Sequence, residues 1–320
     1  MEVKHIEGYD CIDDNLRILL KDKNVDIRRI FNKLWYFKFN KNSDNIGKGL
    51  MCINDNKYEE LRKNFNIDYE IYENKDRNKN INLKKFGKSI AIGKNQIDEI
   101  IKIHFNNDNI IVLEVNTFDY EYDKGFQKYV GTHSCVITEE KDGKAKIIDI
   151  WYKLYNKEIQ YENLLNAITR IIILNISNIK EKEFEADELM DSLLDEKSIN
   201  EMKIFFHSLN QINLNEEYLG LDYEMVFKAP IDKGLRKVIM NRQRFAYYLY
   251  YVSEKTNNSK IRELGECIFV LSMNWIKLRS ILVQTYFLDK TLNIKQIDNL
   301  AQSIIEKELK IKKELSEVKW

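Results

Sequence analysis

Residues 131–151 read GTHSCVITEEKDGKAKIIDIW, and this stretch decides the fold. Two arms rich in branched and apolar residues, His133–Thr138 and Ala145–Trp151, flank a polar connection whose Asp142-Gly143 pair is a hairpin signal. The reading is an antiparallel hairpin with His133 at the start of one arm and Asp149 near the end of the other. Register decides whether the two side chains meet. With a five-residue connection over Glu140–Lys144, His133 faces Trp151. Asp149 then lies two residues off on the same face, about 7–8 Å away along the diagonal. A two- or four-residue loop turns Asp149 to the other face unless a bulge restores it.

Upstream, Ile110–Val115 reads as a strand leading into a polar, aromatic loop from Thr117 to Gly131. Further back come a helix near Asn56–Phe65, a strand-like Tyr69–Tyr72 and a helix around Asn95–His104. At the start of the chain, residues 11–20 (CIDDNLRILL) bring Ile12, Leu16, Leu19 and Leu20 together at helical spacing, with acidic residues in the first turn. Cys11 therefore stands at a helix N-terminus. From Tyr161 onward the periodicity reads as helical, over 161–176, 181–209, 234–256, 259–287 and 294–316, with Pro230 and Gly234 marking a break. The expected organisation is an α+β domain over 1–157 and a mainly helical domain over 158–320.

Composition narrows the function classes. The 320 residues carry 51 basic and 51 acidic side chains, so no net field draws the chain to nucleic acid or anionic lipid. A hydrophobic content of 44% argues against disorder. The first ten residues hold no signal-like apolar run and no stretch has the length of a membrane span, which predicts a cytoplasmic protein. Cys11, Cys52, Cys135 and Cys267 form neither a CxxC pair nor a Cys/His cluster, so free thiols are expected and no metal site. There is no glycine-rich phosphate loop, GxSxG elbow or HExxH motif.

A thiol becomes a competent nucleophile as thiolate, and a helix N-terminus favours negative charge through its unpaired N–H groups. Cys11 has that placement. Its base is expected to be His133, with Asp149 orienting the ring. The plain alternatives are a buried structural cysteine and an Asp149 that caps a turn or pairs with a lysine. Among the other histidines, His104 ends a helix and His207 sits in an Ile-Phe-Phe face, so both read as packed structural residues; His5 competes only in principle. Cys52, Cys135 and Cys267 lack both helix-start placement and a basic neighbour. The basic residues Lys233, Arg236, Lys237, Arg242 and Arg244 suit either a solvated helix face, the reading preferred, or an acidic carrier protein.

These residues carry a resemblance. Tyr9-Asp10-Cys11 leading into Asn15–Leu20, then Gly131–Ile137, then Ile148-Asp149, resemble the N-terminal domain of the butirosin-biosynthesis H protein family. That is a papain-like group related to bacteriocin-processing cysteine peptidases. Arg244–Leu249 and Ile261–Leu264 through Trp275, Leu278 and Arg279 resemble the helical domain that often follows it and that is expected to shape the substrate site. The resemblance implies a papain-like fold, with the cysteine-bearing helix packed on an antiparallel sheet. It also implies a Cys11–His133–Asp149 enzyme that takes an acyl group from a carrier-protein thioester and passes it to an amine or diamine, in natural-product assembly. The cofactor involved is then the phosphopantetheine arm of the partner carrier protein, none being bound directly. Papain-like enzymes usually place a glutamine six residues before the cysteine as an oxyanion donor, and here that position is His5. The oxyanion site then rests on the Cys11 N–H and a donor not identified from sequence.

Three functions follow as alternatives: an amide-forming acyltransferase, a cysteine peptidase or thioesterase using the same residues, and a non-catalytic scaffold built on the aromatic helices. A thioester donor has a good leaving group and needs no ATP, in keeping with the missing phosphate loop, and a large helical half suits a sheltered acceptor pocket.

Overall fold

A computed structural model of the chain describes residues 4–50, 57–77, 89–105 and 109–318. Helix α1 (Cys11–Lys21) is followed by short α2 (Ile46–Gly49), α3 (Lys57–Phe65), strands β1 (Asp68–Asn74) and β2 (Ser89–Ile92), and α4 (Lys94–Phe105). Strands β3 (Asn109–Asn116), β4 (Thr132–Lys141), β5 (Lys144–Asp149) and β6 (Leu154–Gln160) come next, then α5 (Tyr161–Ala167) and β7 (Ile168–Asn175). The remaining helices are α6 (Ala186–Met190), α7 (Glu196–Leu209), α8 (Leu214–Tyr218), α9 (Pro230–Thr256), α10 (Ser259–Phe287) and α11 (Ile294–Ser316). No described helix is long and apolar enough to cross a membrane.

The chain is α+β and forms two compact units, each described by itself. One comprises residues 1–27 and 57–182; the other comprises 28–56 and 183–320. The division differs from the expected break at 157 in two ways, and both have a packing cause. First, the sheet continues beyond that point. The seven strands run in the order β2-β1-β7-β3-β4-β5-β6, so β7, the last in sequence, is central and pairs antiparallel with both β1 and β3. Residues 168–175, expected to be helical, are thus a strand. Ile168, Ile171, Ile172 and Leu174 are all buried, and a strand covered on both faces reads as a continuous apolar run without the alternation that would mark it.

Second, residues 28–56 belong with the C-terminal helices. Phe31, Leu34, Trp35, Phe37 and Phe39 are buried there, and Phe37 stacks on Trp275, which also meets Phe205 and Phe206. That helical unit encloses a charged knot. Glu308 of α11, fully buried, accepts from Trp35 Nε1 and from Arg242 Nε at 2.9 Å, and Arg242 also donates to the Tyr36 carbonyl at 2.9 Å. The basic run of α9 is therefore not one solvated face. Arg242 lies over Trp275 and Arg244 over Phe31, both buried, while Arg236 and Arg279 share the buried Asp232. Pro230 opens α9 at its first turn, where its missing N–H costs nothing.

In the sheet unit, α4 and α5 supply Ile97, Ile101 and Leu164 to a core with Ile111, Leu113 and Val115 of β3, Cys135 and Ile137 of β4 and Ile147 of β5. Helix α1 packs on β4 and β5, with Ile12, Leu16 and Leu20 buried.

Candidate active site

Asp10 caps α1. Its side chain accepts from the Asp13 N–H while Asp13 reciprocates to the Asp10 N–H, a complete capping box. The buried Lys57 of α3 pairs with Asp10 at 2.8 Å and with Asp13 at 2.7 Å, fixing both members of the box. Cys11 is therefore the first residue of a firmly terminated helix, and it is half-buried.

The hairpin that carries the other two residues has a two-residue connection, not a five-residue one. Lys141 pairs with Lys144 across the turn, and Asp142 and Gly143 have φ of 52° and 76°. This is the primed turn that Asp-Gly favours. Alone, it would turn Asp149 away from His133. A bulge corrects it: the register shifts between Ile137 and Glu139, leaving Thr138 without an opposite residue. Beyond it Ile137 pairs with Ile147 and Val136 with Ile148. Carried one residue further, that register sets Asp149 opposite Cys135, one diagonal step from His133 on the same face.

The side chains then meet. His133 Nε2 lies 2.8 Å from Asp149 Oδ2, with His133 6% exposed and Asp149 fully buried. The Cys11 thiol is the other group near enough to act on the same ring. Burial pulls the His133 pKa down, but the Asp149 hydrogen bond and the Cys11 hydrogen bond and charge outweigh it, pushing the ring up to about 10. The three residues expected from sequence are thus brought together at one end of α1.

Sequence reading missed the supports. Tyr120 donates its hydroxyl to Asp149 Oδ2 at 2.9 Å and stacks on the His133 ring at 5.7 Å between centroids. It is fully buried, and burial, with the neighbouring Cys135 and Asp149, drives its hydroxyl pKa far up. Tyr152 covers His133 from another side at 5.0 Å and donates to Asp123 at 2.7 Å. Asn15, fully buried one turn beyond Cys11, donates Nδ2 to the Ser134 carbonyl at 3.3 Å and accepts the Ile150 N–H at 3.1 Å. It ties α1 to the residues that follow His133 and Asp149. A signal for Asn15 existed: it is an amide on the apolar stripe of α1.

The other cysteines and histidines lie elsewhere. Cys135 is buried in the core, where desolvation raises its thiol pKa; Cys267 is exposed on α10; Cys52 falls outside the described residues. His104 packs near Tyr72 and meets Asn109 at 3.2 Å. His207, expected to be packed, is exposed and lines a 340 Å³ polar hollow with Glu216 and Glu217 in the helical unit. Among the described residues no His, Cys, Asp and Glu cluster suited to a metal occurs. No protein-family model matches the chain, and no curated protein matches it significantly.

Proposed function

We propose that the chain is a cysteine-dependent acyltransferase that forms amides through an acyl-Cys11 intermediate. The observation that carries this reading is the buried His133–Asp149 pair, joined through Nε2, with the helix-start Cys11 near enough to act on the same ring. A cationic imidazole beside a helix-start cysteine is the environment in which a thiol serves as nucleophile. The sheet unit is proposed to be papain-like. In its favour, a cysteine opens the helix that packs on the antiparallel strands bearing histidine and then acid.

In the proposed cycle the Cys11 sulfur attacks the carbonyl of a thioester presented on the phosphopantetheine arm of a carrier protein. The tetrahedral oxyanion forms beside the backbone N–H groups that open α1. Collapse expels the carrier thiol, which takes the proton held by His133. An amine or diamine then attacks the acyl-Cys11, and the neutral His133 accepts a proton as the sulfur leaves. A thioester and an acyl-cysteine lie close in energy, whereas the amide lies well below both, so the second step makes the cycle irreversible.

The test is intact mass measurement on protein incubated with acylated carrier protein, with and without amines. The expected result is an acyl adduct in the wild type, absent in Cys11→Ala, that is discharged faster by a diamine than by water. Discharge by water at a rate no amine changes would identify a thioesterase; no adduct across a broad donor panel would identify a scaffold.

A further inference from the structure

Amide formation from an acyl-cysteine sets a proton count that one imidazole does not meet. At neutral pH an alkylamine arrives as ammonium, and two protons must leave its nitrogen before an amide results. In the acyl-enzyme His133 is neutral, having given its proton to the departing carrier thiol, so it can accept one. The other needs a second base.

The sheet unit holds a second histidine–carboxylate pair beside the same helix. His5 Nδ1 contacts Asp14 Oδ2; Asp14 is fully buried and stands three residues beyond Cys11 on α1, an adjacent position on the helix surface. Asp14 Oδ1 also accepts the Ile6 N–H at 3.2 Å and has Arg17 at 3.4 Å, so the carboxylate is fixed from three directions. The His5 ring meets Trp151 edge-on with 4.4 Å between centroids, and Trp151 lies in the short turn that follows Asp149. His5 is thus held between the helix of the nucleophile and the chain that follows Asp149. A carboxylate only accepts hydrogen bonds, so Nδ1 carries the proton and Nε2 of the neutral ring holds a lone pair. The side chain is 35% exposed, which gives that nitrogen a path to solvent.

Resting on the acyl-transfer reading, we propose that His5, oriented by Asp14, is the base that deprotonates the acceptor amine. His5 Nε2 removes one proton from the ammonium, freeing the nitrogen lone pair. The amine nitrogen bonds to the acyl carbon, the C–S bond breaks, and the electron pair returns to the Cys11 sulfur. The second N–H proton passes to His133, which restores the imidazolium that faces Cys11 at the start of the cycle. His5 releases its own proton to solvent. Hydrolysis has no such requirement, because water arrives neutral.

Acceptor choice tests this. Protein loaded with acyl groups from a panel of N-acetylcysteamine thioesters is mixed at pH 7 with 1,3-diaminopropane, which is protonated, or hydroxylamine, which is already neutral. In His5→Gln, whose amide keeps hydrogen-bonding capacity without basicity, discharge to the diamine is expected to fall by about 10²-fold. Discharge to hydroxylamine should stay within about threefold of wild type, because that acceptor needs no prior deprotonation. His5→Ala should repeat the pattern. Equal losses for both acceptors, or no loss with the diamine, would overturn the base assignment while leaving acyl transfer intact. Failure of the wild type to load any acyl group on Cys11 would overturn the acyl-transfer reading and the role of His5 with it.

Discussion

Asp149 Oδ2 serves two donors, the His133 ring at 2.8 Å and the Tyr120 hydroxyl at 2.9 Å, in a fully buried position. Asp149→Asn replaces an acceptor with a group that can donate, and the ring loses the partner that fixes which nitrogen faces sulfur. Turnover should drop by about 10²-fold or more with little change in donor binding, measured as kcat and KM. Tyr120→Phe leaves the His133–Asp149 pair in place but removes a hydrogen bond to a buried carboxylate, so a loss of about 1–3 kcal/mol in denaturant unfolding is expected. The imidazole offers a third check. Its folded pKa, about 10, lies above the ordinary histidine value of 6.5, so its stabilising contribution is complete below about 6.5 and is lost as pH rises through about 10. Two of the influences that raise it come from Cys11. In Cys11→Ala the His133 titration followed by NMR should therefore move to lower pH, and an unmoved midpoint would refute the contact. At this scale Cys11 and His133 were legible because cysteine and histidine are rare in this chain, four of each, and Asp149 because it stands on the arm that pairs with the arm of His133. Tyr120 was not, because it lies in the Thr117–Gly131 loop, whose path is set by closure at its base, where the Thr117 N–H bonds the Gly131 carbonyl at 3.0 Å.

Between residues and whole units, α1 and the β4–β5 hairpin do the positioning. The register of that hairpin separates what local sequence carries from what it omits. Asp142-Gly143 announced the turn, but the turn by itself would put Asp149 on the wrong face, and the compensating bulge at Thr138 has no composition of its own. It is selected by the need to bury Cys135, Ile137, Ala145 and Ile147 on one side together with His133 and Asp149. Deleting Thr138 removes the bulged residue and should give a regular hairpin in which Ile137 still faces Ile147 and Val136 still faces Ile148, so the inner set stays in phase. The expected outcome is retained turnover, as for Thr138→Val, and loss of turnover in the deletion with a normal melting temperature would show that the bulge does more than restore the phase. Asn15 is the counterpart on α1. Asn15→Leu keeps the helix and fills similar space but leaves the Ser134 carbonyl and the Ile150 N–H unpaired in the interior, a penalty of about 1–3 kcal/mol for each group. Because both groups adjoin His133 and Asp149, the activity loss should exceed what the fraction unfolded accounts for.

At the scale of the molecule, the chain leaves the sheet unit after residue 27, contributes residues 28–56 to the helical unit, returns, and leaves again after 182. Periodicity located α9, α10 and α11 closely: α10 and α11 each bury one apolar stripe, while α9 is buried on most sides through its middle. It did not reveal this interleaving, because the 28–39 segment lacks both periods and its aromatic residues say that it is buried without saying where. The consequence is physical. A fragment cut at the apparent compositional boundary, residues 158–320, lacks Trp35 and Phe37, so it exposes the faces of Phe205, Phe245 and Trp275 that they cover. It also strips Glu308 of the Trp35 donor and Arg242 of the Tyr36 carbonyl, and opens to water the site where that buried ion pair is held. An ion pair that has lost part of its hydrogen-bonding shell adds little to stability, while the lost apolar contacts amount to several kcal/mol, comparable to the net stability of a small domain. The fragment should accordingly show no cooperative thermal transition by circular dichroism, whereas the full chain should. Within the full chain, Trp35→Ala should cost about 3–5 kcal/mol as a large-to-small core replacement. Glu308→Gln, which leaves Arg242 buried without a counter-charge, should cost about as much. If the 158–320 fragment melts cooperatively with the native helix content of its segment, the helical unit does not depend on residues 28–56, and their aromatic side chains cover a core that is already complete.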